Sequence, residues 1–247
     1  MQIVAALAGL LSVVFCWVVS VRLLLLARRT RQAPELLIGL GLLLAGGLWS
    51  PLMAVGRQAT TLPDALRAAL VIAGALCGLC GMSCIAIFNW RVFRPSGALP
   101  VVLVLASIGA LVGIAAAQTL GPGWLHFARE ERGPWTNASA LGAAIYLWSC
   151  IEAGRQHAML KRRLRIGLAD PVVTDRMRIF TLLMSSSFFA SSVFAVFQTL
   201  HVPVAGTTLG LWLTAAVSIL ISLFLCLAFV PPAGYLDLVR RRAAAEA

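Results

Sequence analysis

The sequence predicts an all-α integral membrane protein, a seven-transmembrane-helix bundle with its N-terminus outside and its C-terminus cytoplasmic. Three observations predict it. The 247-residue chain is 60% hydrophobic and 12% charged, where a soluble domain carries about 25% charged residues. Its apolar residues gather into seven runs of roughly 20 residues, the length that crosses about 30 Å of hydrocarbon. Its cations are also unevenly placed. Sixteen of the twenty Lys and Arg fall on one side of that threading: Arg22 to Arg31, Arg91 and Arg94, the 154–178 segment, and Arg240 to Arg242. Only Arg57, Arg67, Arg129 and Arg132 fall on the other. Cationic loops resist translocation, so this bias sets the orientation. The net charge of +11 is read the same way, with anionic lipid headgroups rather than nucleic acid as the partner. Seven spans with short connections are expected to fill the chain without a second folded domain.

The first span, about 3–26, lacks a basic start and carries Arg22, Arg28, Arg29 and Arg31 at or after its end. It therefore reads as a span with an outer N-terminus, not a cleavable signal. The second, about 35–56, follows Pro34 and Glu35, which suit a helix start, and holds Gly39, Gly41, Gly46 and Gly47. Pro51 predicts a kink, its freed carbonyl met by Ser50 or by a neighbouring helix. The third, about 65–90, has Asp64 as its expected cap and interleaves Gly74, Gly78 and Gly81 with Cys77, Cys80 and Cys84. Those cysteines share one helical face. Soft-metal binding is one reading of them. Close helix packing is the preferred one, because no histidine or carboxylate lies at the same depth. The small-residue faces of the second and third spans also offer a contact for a second copy of the chain.

The fourth span, about 99–118, leads to the largest outer segment, 119–138. There Trp124, Leu125, Phe127 and Trp135 alternate with charges, as in a segment lying among headgroups. His126 and Glu130, four apart, would permit a metal contact, but a solvated pair is the preferred reading. Asn137-Ala138-Ser139 matches a glycosylation acceptor, relevant only in a compartment that glycosylates. All six cysteines lie in apolar runs, so no disulfide framework is expected.

The fifth span, about 138–156, is able to continue as helix to Ile166. Glu152 is its acid. An intramembrane carboxylate suggests proton relay or cation coupling, yet Glu152 lies near the inner boundary one turn from Arg155, which favours a local ion pair. The following segment carries Lys161, Arg162, Arg163 and Arg165, directed at headgroups or a cytoplasmic partner. Gly167 is expected to end this helix, with Asp170 capping the next and Pro171 in its first turn. The sixth span, about 176–199, presents Thr181, Ser185, Phe188, Ser192 and Thr199 as a polar–aromatic stripe, with Gln198 near its outer end. Such a stripe either lines a ligand pocket or path, or packs against another helix through small hydroxyl residues. The seventh span, about 207–230, stops at Pro231-Pro232. Residues 233–247 form a short basic amphipathic tail, with Tyr235, Leu236 and Val239 toward lipid and Arg240, Arg241 and Arg242 toward headgroups.

No lysine occurs in any span, which excludes a retinal Schiff base. His126, His157 and His201 all lie in loops or at helix ends, so intramembrane haem or zinc lacks ligands. No phosphate-binding loop and no nucleophile elbow is present. No cofactor, metal or catalytic constellation is expected.

The stretches RTRQAPELLIGLGLLLAGG (29–47), RVFRP (91–95), LKRRLRIGLADPVVTDR (160–176) and AFVPPAGYLDLV (228–239) resemble segments of a family of uncharacterised bacterial seven-helix inner-membrane proteins. GLADPVV is the most specific of them. The same stretches are similar to seven-helix sensor modules of bacterial receptors. The resemblance implies a bacterial inner-membrane location and a sensor-like role. It brings no catalytic residues. The residues after Pro232 are too few for a kinase or cyclase domain, so signalling is expected to need a separate partner. A transporter or lipid-handling protein using Glu152 as coupling group, and a structural subunit of a membrane complex, are the alternatives.

Overall fold

The computed structural model describes residues 2–130, 133–200, 202 and 207–246. The side chains of Gln2, Glu130 and residues 242–246 are outside this description, so the expected His126–Glu130 pair, His201 and the Arg242 side chain are too. The described residues are helical with short connections and contain no strand. Ten α-helices follow in order: α1 (Gln2–Thr30), α2 (Ala33–Gly41), α3 (Trp49–Gln58), α4 (Asp64–Phe93), α5 (Ala98–Leu120), α6 (Trp124–Glu130), α7 (Ala138–Arg165), α8 (Pro171–Thr199), α9 (Thr208–Phe229) and α10 (Ala233–Glu246). A π-helical turn, Leu42–Leu48, joins α2 to α3, and a 3₁₀ turn, Pro134–Asn137, precedes α7.

Among the described residues, six rods are long and apolar enough to cross a membrane: Ile3–Thr30, Ala33–Gln58, Asp64–Phe93, Ala98–Leu120, Pro171–Thr199 and Thr208–Phe229. Large apolar side chains stay exposed along their outer flanks, such as Leu7, Val14 and Val21 on α1, Leu105 on α5 and Leu223 on α9. Apolar flanks of this extent are the mark of a multi-pass membrane protein, whose solvent on that side is lipid. The expected fifth span, about 138–156, falls in α7, which is 28 residues long but is not among these six. Its apolar run from Ala138 ends at Glu152, short of the roughly 20 residues a full crossing needs.

Neighbouring contacts give the rod directions. Gly39 lies against Leu23 and Gly46 against Cys16, so the α2–α3 rod runs antiparallel to α1. Gly41 meets Ile85, Gly81 meets Ala45, and Gly74 meets Met53, so α4 turns back again. Helix α7 runs parallel to α4, with Gly142 beside Met82 and Ser149 beside Asn89. Gly154 faces Thr181 and Gly142 faces Ser191, which sets α8 antiparallel to α7. Ala5 and Ala8 pack on Ala215 and Leu211, while Cys16, Val19 and Leu23 share a core with Leu225 and Phe229. Helices α1 and α9 are therefore parallel.

Several boundaries and contacts differ from the sequence expectations. The second rod carries an unanticipated π turn, Leu42–Leu48, just before Pro51, and the Gly47 carbonyl that Pro51 frees is met by a neighbouring helix, through Trp17 Nε1. Asp64 does not cap α4, whose N-cap is Pro63 with no side-chain cap bond; its carboxylate pairs instead with Arg67 and Arg129. The expected Asp170 cap does form: its carboxylate accepts from Val172 N at 2.8 Å and Pro171 needs no donor, so helix α8 begins five residues before the span drawn from 176. Gly167, at φ 72, closes α7 with Leu168 N bonded to Arg163 O and Gly167 N to Leu164 O, the paired bonds of a Schellman cap. The glycines of the second and third spans meet neighbours within the same chain. Open space surrounds Gly109 and Gly113 of α5 instead.

Candidate functional site

The most concentrated buried polar group lies where α4 and α7 approach the basic side of the bundle. Asn89 and Ser149 are fully buried. The Asn89 amide Nδ2 donates to Ser149 Oγ at 2.7 Å, and that hydroxyl donates to Ile145 O at 3.0 Å. Asn89 Oδ1 is buried and has no partner among the described residues. One turn further along α7, the Glu152 side chain is only 9% exposed, and its Oε1 receives two guanidinium groups. Arg94 Nε is 3.0 Å away and Arg155 Nη1 is 3.2 Å away. Arg155 comes from the next turn of the same helix. Arg94 comes from the end of α4, so the carboxylate joins two helices as well as two charges.

Burial in an apolar setting explains why Glu152 has two partners, since an uncompensated carboxylate there would cost several kcal/mol. Both arginines keep roughly half their side chains exposed (43% and 58%), so water weakens each individual bond. Chemically the arrangement is a clamp. It holds no second acid or nucleophile, and among the described residues no group of three or more metal-ligating side chains occurs.

The stripe on α8 is brought to α7. Ser185 Oγ lies 3.0 Å from Cys150 Sγ, Thr181 sits opposite Gly154, and Thr181 Oγ1 also donates to Met177 O at 2.9 Å. Phe188 and Ser192 are half-buried on the same helix. Gln198 is half-buried near its end, with Oε1 lacking a partner among the described residues. Glu152 and Arg155 are thus in contact, Thr181 and Ser185 line the α7–α8 seam, and Gln198 stands apart from both. Lys161, Arg162, Arg163 and Arg165 are exposed at the end of α7, as are Arg240 and Arg241 on α10.

Two features escaped the sequence reading. The aromatics between α5 and α7, expected to lie among headgroups, turn into the bundle. Phe127 and Trp135 are buried against Met53, Val71 and Ala75, and Trp124 packs edge-on to both aromatics. The aromatics go inward because Arg67 and Gln118 satisfy the polar backbone there. Arg67, 8% exposed, donates to Gly56 O, Arg57 O and Ala128 O at 3.2–3.4 Å. The first two are carbonyls at the end of α3, which lack helical donors. Gln118 donates to Gly123 O and accepts from Trp135 N. An arginine inside the apolar run of α4 is the signal that was available.

The second is the tail. Tyr235 was expected to face lipid; its hydroxyl instead donates to the Asp175 carboxylate, which Arg178 also holds at 2.7 Å. Burial first, and then the bond and negative charge of Asp175, raise the Tyr235 pKa above the ordinary 10.0, against an opposing pull from Arg178.

Comparisons with protein-family models, curated proteins and solved structures give no match.

Proposed function

We propose that this chain is a seven-pass, sensor-like protein of a bacterial inner membrane, with an outer N-terminus and a cytoplasmic C-terminus. In this reading the α7–α8 pair relays a change in the bilayer, or a small apolar ligand, to the basic segment between them. The observation that supports it is the parallel packing of α1 and α9. Alternating rods put those two in the same direction only if α7 traverses the bundle. A threading that left α7 outside would return α9 antiparallel to α1. The short apolar run of α7 is supplemented by Trp135 and the turn before it, buried at the level of Val71.

The α7–α8 seam of small and hydroxyl residues supports a movable pair, and the Glu152–Arg94 contact supports a point that restrains it. Removing a contact of this kind changes a two-state balance by a few kcal/mol at most, enough to shift populations. A separate cytoplasmic partner would read the exposed Lys161, Arg162, Arg163 and Arg165.

Spin labels on a cysteine-free background at Met159→Cys and Arg91→Cys test the reading. Distances are measured in vesicles of short-chain and long-chain phosphatidylcholine. The expected result is two populations whose ratio follows bilayer thickness and shifts further in Glu152→Gln. One unchanged distance in every bilayer would remove the bilayer-sensing reading. Tags at the two termini test the threading independently, since seven passes require them on opposite sides. A coupled transporter would instead require Glu152 freed from both arginines, and substrate flux lost in Glu152→Gln vesicles would favour it.

A further inference from the structure

A shallow, open groove of about 700 Å³ runs along the exposed face of α1, lined by Trp17, Val18, Val21, Arg22, Leu25, Leu26 and Arg29 of that helix alone. Its apolar lining is about half exposed, from Leu26 at 42% to Leu25 at 53%. Arg22 and Arg29 are two helical turns apart on one face, about 10 Å along the axis, and both are exposed with no carboxylate bridged to them among the described residues. Arg22 lies eight residues before the end of α1 at Thr30. In a membrane protein this surface faces lipid, and a guanidinium cannot lose its charge to enter it.

An arginine at such a depth is stabilised by extending toward the interface and meeting an anion there. The described protein offers Arg22 none. The groove supplies an apolar wall above two cations, the complement of a lipid with an anionic head and an acyl chain. We propose that this groove binds an acidic phospholipid, its phosphate held between Arg22 and Arg29 and an acyl chain lying along Val21, Val18 and the Trp17 ring. The position of the indole is set from behind, because Trp17 Nε1 donates to Gly47 O at 2.9 Å. Its exposed face is left for the chain. The site rests on the membrane location alone and holds whichever leaflet the end of α1 faces.

Trp17 itself is the reporter. Purified protein in neutral detergent is titrated with phosphatidylglycerol or phosphatidylcholine carrying brominated chains, and Trp17→Phe protein provides the blank for the other tryptophans. Phosphatidylglycerol is expected to quench Trp17 at lower concentration than phosphatidylcholine. Each of Arg22→Gln and Arg29→Gln should weaken that preference about fivefold, the equivalent of one basic residue at an anionic surface. Arg22→Lys should retain most of it. Equal quenching by the two lipids, or a preference unchanged in the double glutamine variant, overturns the proposal. Displacement of the lipid by inorganic phosphate would show that the arginines bind a free anion without the chain, which also overturns it. If the variants fail to fold, native mass spectrometry of the unaltered protein decides. Retained phosphatidylglycerol that is released by high salt is expected, and equal retention of both lipids counts against the site.

Discussion

Trp17 Nε1 donates a 2.9 Å hydrogen bond to Gly47 O, the carbonyl that residue 51 would reach in a regular α-helix if it were not proline. A proline in a membrane helix frees a backbone acceptor that lipid cannot satisfy. Here a side chain on the adjacent helix satisfies it, and the Leu42–Leu48 π turn brings Gly46 and Gly47 within reach of Cys16 and Trp17.

This pairing predicts coupling between two residues that do not themselves touch through a bond. Trp17→Phe should destabilise the protein by about 1–2 kcal/mol, combining a lost hydrogen bond with an acceptor left unmet. In a Pro51→Ala background, where residue 51 regains its N–H, the same change should cost less by about 0.6 kcal/mol or more. Unfolding in mixed detergent for the four proteins of the cycle measures this. Strictly additive effects would show that Pro51 and Trp17 act separately.

Two glycines should respond oppositely to the same substitution. A methyl at Gly81 would lie 2.5 Å from Ala45 N and 2.8 Å from Ala45 Cβ, whereas nothing comes within 4 Å at Gly109. Gly81→Ala should therefore destabilise by about 1–3 kcal/mol through overpacking against backbone. Gly109→Ala should be neutral, or stabilising by up to about 1 kcal/mol from helix propensity. Thermal unfolding of each purified variant distinguishes them.

Removing the Glu152 carboxylate should cost more than removing either arginine. Glu152→Gln leaves two cations without their shared anion, an effect of about 2 kcal/mol for charge-assisted bonds. Arg94→Gln leaves Arg155 in place and should cost about 1 kcal/mol or less, because that side chain is 43% exposed. Stability measured in detergent at two salt concentrations checks the ranking. A larger loss for Arg94→Gln would mean that Arg94 holds something other than Glu152.

The Tyr235–Asp175 bond predicts a tail that detaches in alkali. The folded-state pKa of Tyr235 is raised, by burial first and by Asp175 second. The docked form thus binds its proton more tightly than the free tail. Its contribution is fully present below pH 10 and is lost as pH rises through the raised value. A nitroxide at Leu238, which is 44% exposed, should be restrained at neutral pH and mobile above that range. Tyr235→Phe should be mobile at both, with a loss of about 1 kcal/mol in docking.

Composition and periodicity alone determined that this is a helical membrane protein, since runs of apolar residues and clustered arginines act through length and charge, which need no partner. The break at Gly167, Asp170 and Pro171 was equally legible, because each acts on the backbone beside it, whereas the cap expected at Asp64 does not form, its carboxylate being taken by Arg67 and Arg129. Contacts across helices were not legible. Arg94 reaches Glu152 over 58 positions, Arg67 holds Ala128 over 61, and Tyr235 finds Asp175 instead of lipid. None of these pairs shares a periodicity, because each partner is chosen by the depth at which two rods happen to lie side by side. The apolar run of α7 shows the same division. Its length in sequence falls short of a crossing, and only its packing along α8 and parallel to α4 gives it a place among the rods, where neighbours rather than hydrophobicity determine what a helix touches.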